Sequence, residues 1–443
     1  MPELARFQGL IGLGVLVLLA WLISERRRLF DWRIVIGGIG LQIVLAAVLL
    51  RVPGPVEALE WLSRGVAGVI ARADAGIAFV FSRELLQPDA PWGFVFAVRV
   101  LPIIIFFASL MSVLYFIGVM PRLVALLAWV LRRSLGVSGA EAMAMASNVF
   151  VGQTEAPLCV RPLLEKMTRA QLMTLMVGGF ATIAGSVLAA YAMYLAPGVP
   201  DELGRLDPQV TAARAEWIKH LITASVMSAP AAFVMARIIV PETETPPDER
   251  VASISSDQTP ANIFDAAAIG AADGLRLALN VAAMLIAFVS LLALVSWPLE
   301  ALGTGLQPLH DWLQQRHIDR LNLQVILGWM LAPLAWTLGV PWRDCGFFGS
   351  LMGEKIIATE FIAYVHLAKD VNGADPMLTE RSARIAAYAL CGFANFASVG
   401  IQIGGLSALA PGKRRVFTQL AMRAMIGGAF ASWMTACIAG LFL

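Results

Sequence analysis

Long apolar runs alternate with short charged stretches along the whole chain, and most runs are long enough for a helix to cross a bilayer. Residues 7–24 form the first run and end at Glu25-Arg26-Arg27-Arg28. No small-residue cleavage site follows, so this run reads as a span with its C-terminal end in the cytoplasm, not as a removed signal. Residues 34–50 return outward and stop at Pro53-Gly54-Pro55. Across 56–73, Glu57, Glu60 and Arg64 share one helical face while Leu59, Leu62, Val66 and Val69 lie near another. That pattern fits an amphipathic helix in the interface or an ordinary surface helix. Residues 100–121 run inward, and Arg132-Arg133 beyond them suit the cytoplasm. Further spans are expected at 170–195, 221–240, 275–297 (ended by Pro298), 383–409 and 424–443. The run 321–338 is apolar but short for a span. By the crossing count Lys413-Arg414-Arg415 is cytoplasmic, and both termini are expected on the outer face.

Two polar clusters interrupt this apolar background. The first is Ser147-Asn148-Val149-Phe150-Val151-Gly152-Gln153-Thr154-Glu155-Ala156-Pro157. A charge at bilayer depth costs about 2.5–3.5 kcal/mol on insertion scales, so such a group usually lines a protein cavity and is used. The stretch reads as the tip of a re-entrant hairpin or as a cytoplasmic loop. The second cluster, Gly349 to Phe361, contains Glu354, Lys355, Thr359 and Glu360. Two spans also have weak centres. Gly178, Gly179 and Gly185 either let the first unwind or allow a close helix contact. The second is interrupted at Gly392-Phe393-Ala394-Asn395-Phe396-Ala397-Ser398.

Composition sharpens the class. The chain has 443 residues, 58% hydrophobic and 14% charged, against about 25% charged in soluble domains, so a polytopic membrane protein is expected. A net charge of +2 gives no footprint for nucleic acid. Cys159, Cys345, Cys391 and Cys437 are far apart and show no metal or redox spacing, so they read as free thiols. His220, His310, His317 and His366 form no catalytic grouping, and an enzyme is not expected.

The chain also repeats itself. Gly179-Phe180-Ala181-Thr182-Ile183-Ala184-Gly185 and Gly392-Phe393-Ala394-Asn395-Phe396-Ala397-Ser398 share four of seven positions. A Thr-Glu pair lies upstream of each, Thr154-Glu155 and Thr359-Glu360. The crossing count sends the two Gly-Phe-Ala spans in opposite directions, which is an inverted-topology repeat with its site near the midplane. The fold expected is all-α: about eight transmembrane helices, two re-entrant hairpins and interfacial helices around an inverted-repeat core. N-terminal spans and an interfacial helix occupy 1–93, and a scaffold span with a cytoplasmic helix 94–135. The first repeat is 136–240, followed by a cytoplasmic linker at 241–265. A second scaffold span and an interfacial segment fill 266–320, and the second repeat is 321–443.

With these residues in place, the chain resembles the concentrative nucleoside transporter family. The resemblance rests on Asn148 to Leu158, Gly179 to Ser186, Glu360-Phe361-Ile362-Ala363-Tyr364 and Cys391 to Asn395. Leu110 to Tyr115 and Asn280 to Met284 are similar to its scaffold spans, and the likeness runs from about residue 95 to the end. It implies that Gln153, Thr154 and Glu155 face the nucleobase, that Val187 packs on it, and that Glu360, Asn395 and Ser398 hold the ribose with Phe393 lining the pocket. It further implies a sodium site of the Asn148 and Thr182 side chains with the Val151 and Ile183 carbonyls. Thr359 departs from the family pattern, which typically has Asn there and would use it as a ribose contact. The expected activity is sodium-driven uptake of purine and pyrimidine nucleosides across the inner membrane by a homotrimer. No cofactor is expected beyond the coupling ion. Proton coupling through Glu155 or Glu360 on the same scaffold is the alternative.

Overall fold

The structure is a computed structural model that describes residues 2–82, 84–86, 95–198, 207–245, 260–314 and 320–443. Helix is the regular secondary structure of all these segments. Among the described residues, six helical stretches are long and apolar enough to span: Trp32–Leu50, Phe96–Phe116, Arg169–Leu195, Pro208–Ile239, Ile263–Gly305 and Pro411–Phe442. The first expected span appears as the shorter apolar stretch Phe7–Leu22. The span expected at 383–409 is split in two.

The chain opens with α1 (Pro2–Leu22), α2 (Trp32–Leu50) and α3 (Pro53–Phe81). Pro53 and Pro55 do not only stop α2. They lie in the first turn of α3, where a missing N–H costs nothing. The amphipathic helix therefore runs past the expected end at 73, to Phe81. After α4 (Phe96–Arg99), α5 (Leu101–Phe116) is shorter than the expected 100–121, because Gly118 at φ +81 breaks it from α6 (Val119–Leu135).

Next come α7 (Gly139–Asn148), a turn, α8 (Arg161–Leu164), α9 (Arg169–Ala181), α10 (Gly185–Leu195) and α11 (Pro208–Ile239). The fifth span thus starts at 208, not 221. Its polar N-terminal part stays helical because Asp207 caps it, and because buried Arg214 spends its guanidinium on the carbonyls of Ala196 and Gly198. The expected linker lies mostly outside the described residues, which resume at 260.

The later elements are α12 (Ile263–Gly305), α13 (Gln307–Gln314), α14 (Leu323–Thr337), α15 (Cys345–Ile357), α16 (Glu360–Val371), α17 (Glu380–Leu390), α18 (Phe396–Leu409) and α19 (Arg414–Phe442). Pro298 does not end the sixth span, since α12 continues through it to Gly305. Losing one backbone bond is cheaper than unpairing a whole helical end in apolar surroundings. The last span likewise starts at 414, not 424. All four cysteines are free.

Hydrogen bonds place the loops at two ends of the molecule. Glu25 pairs with Arg169 at 2.7 Å and with Arg423 at 2.5 Å, and Lys413 Nζ reaches the Met167 carbonyl at 3.2 Å. The Arg169 guanidinium holds the Glu25 carboxyl below its ordinary range. At the same end, Arg237 bridges Glu141 (2.7 Å) and Glu242 (3.0 Å). The base of α7 belongs here too, because Ser138 Oγ accepts from Gln171 Nε2 at 3.1 Å. The base of α15 lies at the far end of α19. There Asp344 accepts from the Thr379 hydroxyl at 2.8 Å, and Arg381 donates to the carbonyls of Gly339 and Gly440, both at 2.7 Å. The two chain reversals therefore enter from opposite ends.

Candidate functional site

The first reversal is prepared by its ends. Ser138 and Glu141 form a capping box that starts α7, and the helix runs to Asn148. The chain turns through 149–155 and comes back, with the Ser147 hydroxyl donating to Cys159 Sγ at 3.2 Å across the turn. Gly152 sits at φ +110, which favours glycine. A Cβ there would also lie 3.1 Å from Ala184 Cβ and 3.5 Å from a Glu155 carboxylate oxygen.

Opposite this turn the α9–α10 helix is broken. Thr182 is extended (φ −114, ψ 164), as is Ala184 (φ −69, ψ 146). Both readings of the glycines hold. Gly178 and Gly179 allow close approach by Met145 and by Gln153 and Gln402, while the unwinding falls just after them. Most groups around the break find partners. Thr182 Oγ1 donates to the Gly178 carbonyl (2.9 Å), Gly185 N to Phe150 (2.9 Å) and Ser225 Oγ to Val149 (3.0 Å).

Asn148 does not. It is fully buried beside Gly178, and neither its amide oxygen nor its amide nitrogen has a partner. A buried amide left bare costs about 1–3 kcal/mol, which makes this amide a candidate ligand-binding group. Its amide oxygen, the Thr182 hydroxyl oxygen and the carbonyls of Val151 and Ile183 in the same turn and break are hard donors that suit a small cation. Gln153 is buried with its amide oxygen unpartnered. Thr154 and Glu155 are exposed at the turn, and a Glu155 carboxylate oxygen lies beside Gly152.

The second reversal presents its carboxylate differently. Glu360 is 2% exposed, and each of its oxygens accepts one protein hydrogen bond. Tyr191 OH donates at 3.1 Å and Asn395 Nδ2 at 2.7 Å. Asn395 is oriented because its Oδ1 caps α18 by accepting from Ser398 N at 2.8 Å. Val187 lies one turn before Tyr191 on α10, hence on the same face. Phe393 is half-buried at the second break, and Thr359 Oγ1 is buried without a partner. Gly392, at φ +106, touches the end of α9, where a Cβ would fall 2.5 Å from the Phe180 carbonyl oxygen. The two breaks therefore abut.

Three residues of this region escape sequence reasoning. Tyr191 looks like one more core aromatic within an apolar run, and it also stacks on Tyr364 with centroids 4.0 Å apart. Gln402 reaches the Met176 carbonyl at 3.0 Å across the breaks. Lys355 belongs to the second polar cluster, but its acceptors lie 34, 36 and 77 residues away and only the fold reveals them.

Known proteins share this architecture. Models of the Na+ dependent nucleoside transporter N-terminus and C-terminus match residues 11–84 and 220–440. A nucleoside recognition (Gate) model matches residues 97–198. The chain is 42% identical to an uncharacterized transporter of Haemophilus influenzae, over 98% of this chain and 97% of that one. It is 39% identical to the nucleoside permease NupC of Helicobacter pylori, with 98% and 97% covered. The solved structure of CNTnw in an inward-facing substrate-bound state is 39% identical and superposes with a TM-score of 0.86, covering 99% of this chain and 98% of that one.

Proposed function

Because the chain belongs to the Na+-dependent nucleoside transporter family, whose members are membrane transporters and not enzymes, we propose that it takes up purine and pyrimidine nucleosides by sodium symport. Two reversals enter from opposite ends, and each sets a carboxylate against a broken helix. That arrangement supports an inverted-repeat core with re-entrant hairpins and a midplane site.

A nucleoside is neutral and rich in donors and acceptors. Glu360, oriented by Asn395 and Tyr191, accepts from ribose hydroxyls, and Ser398 adds a hydroxyl one turn into α18. Bonds to a charged acceptor are worth about 1.5–3 kcal/mol. Val187 and Phe393 pack on the substrate, while Gln153, Thr154 and Glu155 read the base edge directly or through water. Gly152 leaves room for the larger purine. Sodium enters the oxygen set of Asn148, Thr182, Val151 and Ile183. The observation that carries this assignment is the buried Asn148 amide with both ends unpartnered.

The energetics suffice. One charge crossing 100 mV gains about 2.3 kcal/mol, and a tenfold gradient adds about 1.4 kcal/mol. Together they drive accumulation of roughly several hundred-fold. Cytoplasmic placement of Arg26, Arg169 and Lys413 puts the shared end of their loops inside and both termini outside the inner membrane. The exposed apolar face of α12, with Leu279, Ile286, Leu294 and Trp297, meets lipid or neighbouring copies in a homotrimer.

Uptake of labelled uridine into vesicles, with sodium and proton gradients imposed separately, tests the coupling. Sodium alone should drive uptake. Full uptake on a proton gradient, with no response to sodium, would assign the coupling to a proton instead.

A further inference from the structure

The two helix breaks share a geometry but not a solution. In the first half, the arm leading into the reversal ends at Asn148, beside the last turn of α9. In the second half, the corresponding arm α15 sends Lys355 to the last turn of α17. Lys355 is fully buried, and its ammonium donates to the carbonyls of Ala389 (2.9 Å) and Cys391 (3.0 Å) and to Ser432 Oγ (2.7 Å). Ser432 is free to accept because its own proton goes back to the carbonyls of Gly428 and Ala429 in α19.

An ammonium has three donors, and all three are used. The carbonyl end of a helix carries about half a negative charge, and a broken helix buries that end away from water. A cation placed at either break therefore meets a favourable field. In the second half the chain supplies it covalently, in a ring of three oxygens that is already full. In the first half the chain supplies only oxygens, and the Asn148 amide is left bare.

We propose that Lys355 is a resident cation which occupies, in the second half, the place that the first half leaves open for an exchangeable one. It is a positioning residue: it pins the second reversal to α17 and α19 and so holds Asn395 against Glu360. The transporter then has one exchangeable cation site, not two. This rests on the sodium-symport reading, which is scored separately by whether the parent protein takes up uridine with sodium at all.

The test has two arms. In proteoliposomes, the reversal potential of uridine-driven current in the parent protein should give one positive charge per nucleoside, and two would overturn the proposal. In detergent, Lys355→Met keeps the bulk of the side chain and removes its charge, whereas Lys355→Ala leaves a cavity the size of a small alkylammonium. Both variants should bind uridine roughly ten- to a hundredfold more weakly, with lowered melting temperatures. Propylammonium should restore the Ala variant, and choline should not. Should the Ala variant be unfolded, recovery of its fold by propylammonium is the same readout. Parent-like binding by Lys355→Met, or a loss in Lys355→Ala that propylammonium leaves unchanged, would show that the side chain only fills space.

Discussion

Replacing Glu360 by Gln isolates the charge at the proposed ribose site. Each Glu360 oxygen accepts one bond in the structure, from Tyr191 OH and from Asn395 Nδ2. Asn395 cannot turn its amide, because its Oδ1 holds Ser398 N. A Gln at 360 must therefore aim its carbonyl at Asn395 and its NH2 at Tyr191, whose hydroxyl can reverse and accept. The local network survives, and melting temperature should change little. What disappears is the negative acceptor that a ribose hydroxyl would meet. A charge-assisted bond of about 1.5–3 kcal/mol corresponds to roughly ten- to a hundredfold in affinity. Calorimetry in detergent should show that loss for uridine, and a smaller one for a nucleoside lacking the hydroxyl that Glu360 accepts. Tyr191→Phe is the control, because it frees one carboxylate oxygen without removing the charge. If Glu360→Gln binds uridine as tightly as the parent, Glu360 is not the anchor, and the second reversal acts as a gate and not as part of the site.

Three further outcomes are expected. Gly392→Ala puts a Cβ 2.5 Å from a backbone oxygen at a left-handed φ, so it should destabilise by about 2 kcal/mol or more and lower the melting temperature. Adenosine in excess should compete with uridine uptake, whereas Gly152→Ala, which brings a Cβ to 3.1 Å from Ala184, should weaken adenosine competition most. The Glu25 carboxyl lies below its ordinary value of 4.5, chiefly through its hydrogen bond with Arg169, so its stabilisation is complete at neutral pH. It is lost as pH falls below that ordinary value and through the lowered folded one; melting curves should show this decline, and Glu25→Gln should flatten it.

Much of this architecture is legible in the chain itself. Apolar runs mark spans because a bilayer tolerates nothing else, and Gly-rich polar interruptions mark breaks because the backbone there must find partners. The Thr-Glu pairs lie at the two reversals, and the Gly-Phe-Ala segments hold the two helix breaks. Boundaries were less legible. The polar start of α11 falls outside the span expected at 221–240, and it is explained only once Arg214 is seen against the carbonyls of Ala196 and Gly198. Pro298 reads as a stop because its local cost is visible, while the larger cost of ending α12 in apolar surroundings is not.

By itself the sequence determined the membrane class, the order of spans and interruptions, and which carboxylates stand out. These follow from local hydrophobicity and backbone preference, which act over a few residues. Only the tertiary structure decided which partner each buried polar group receives. Tyr191 and Glu360 are 169 positions apart, and Lys355 and Ser432 are 77 apart. Nothing local marks such pairs, because each buried donor takes whichever acceptor the packed helices bring within reach. The same packing left the Asn148 amide without one.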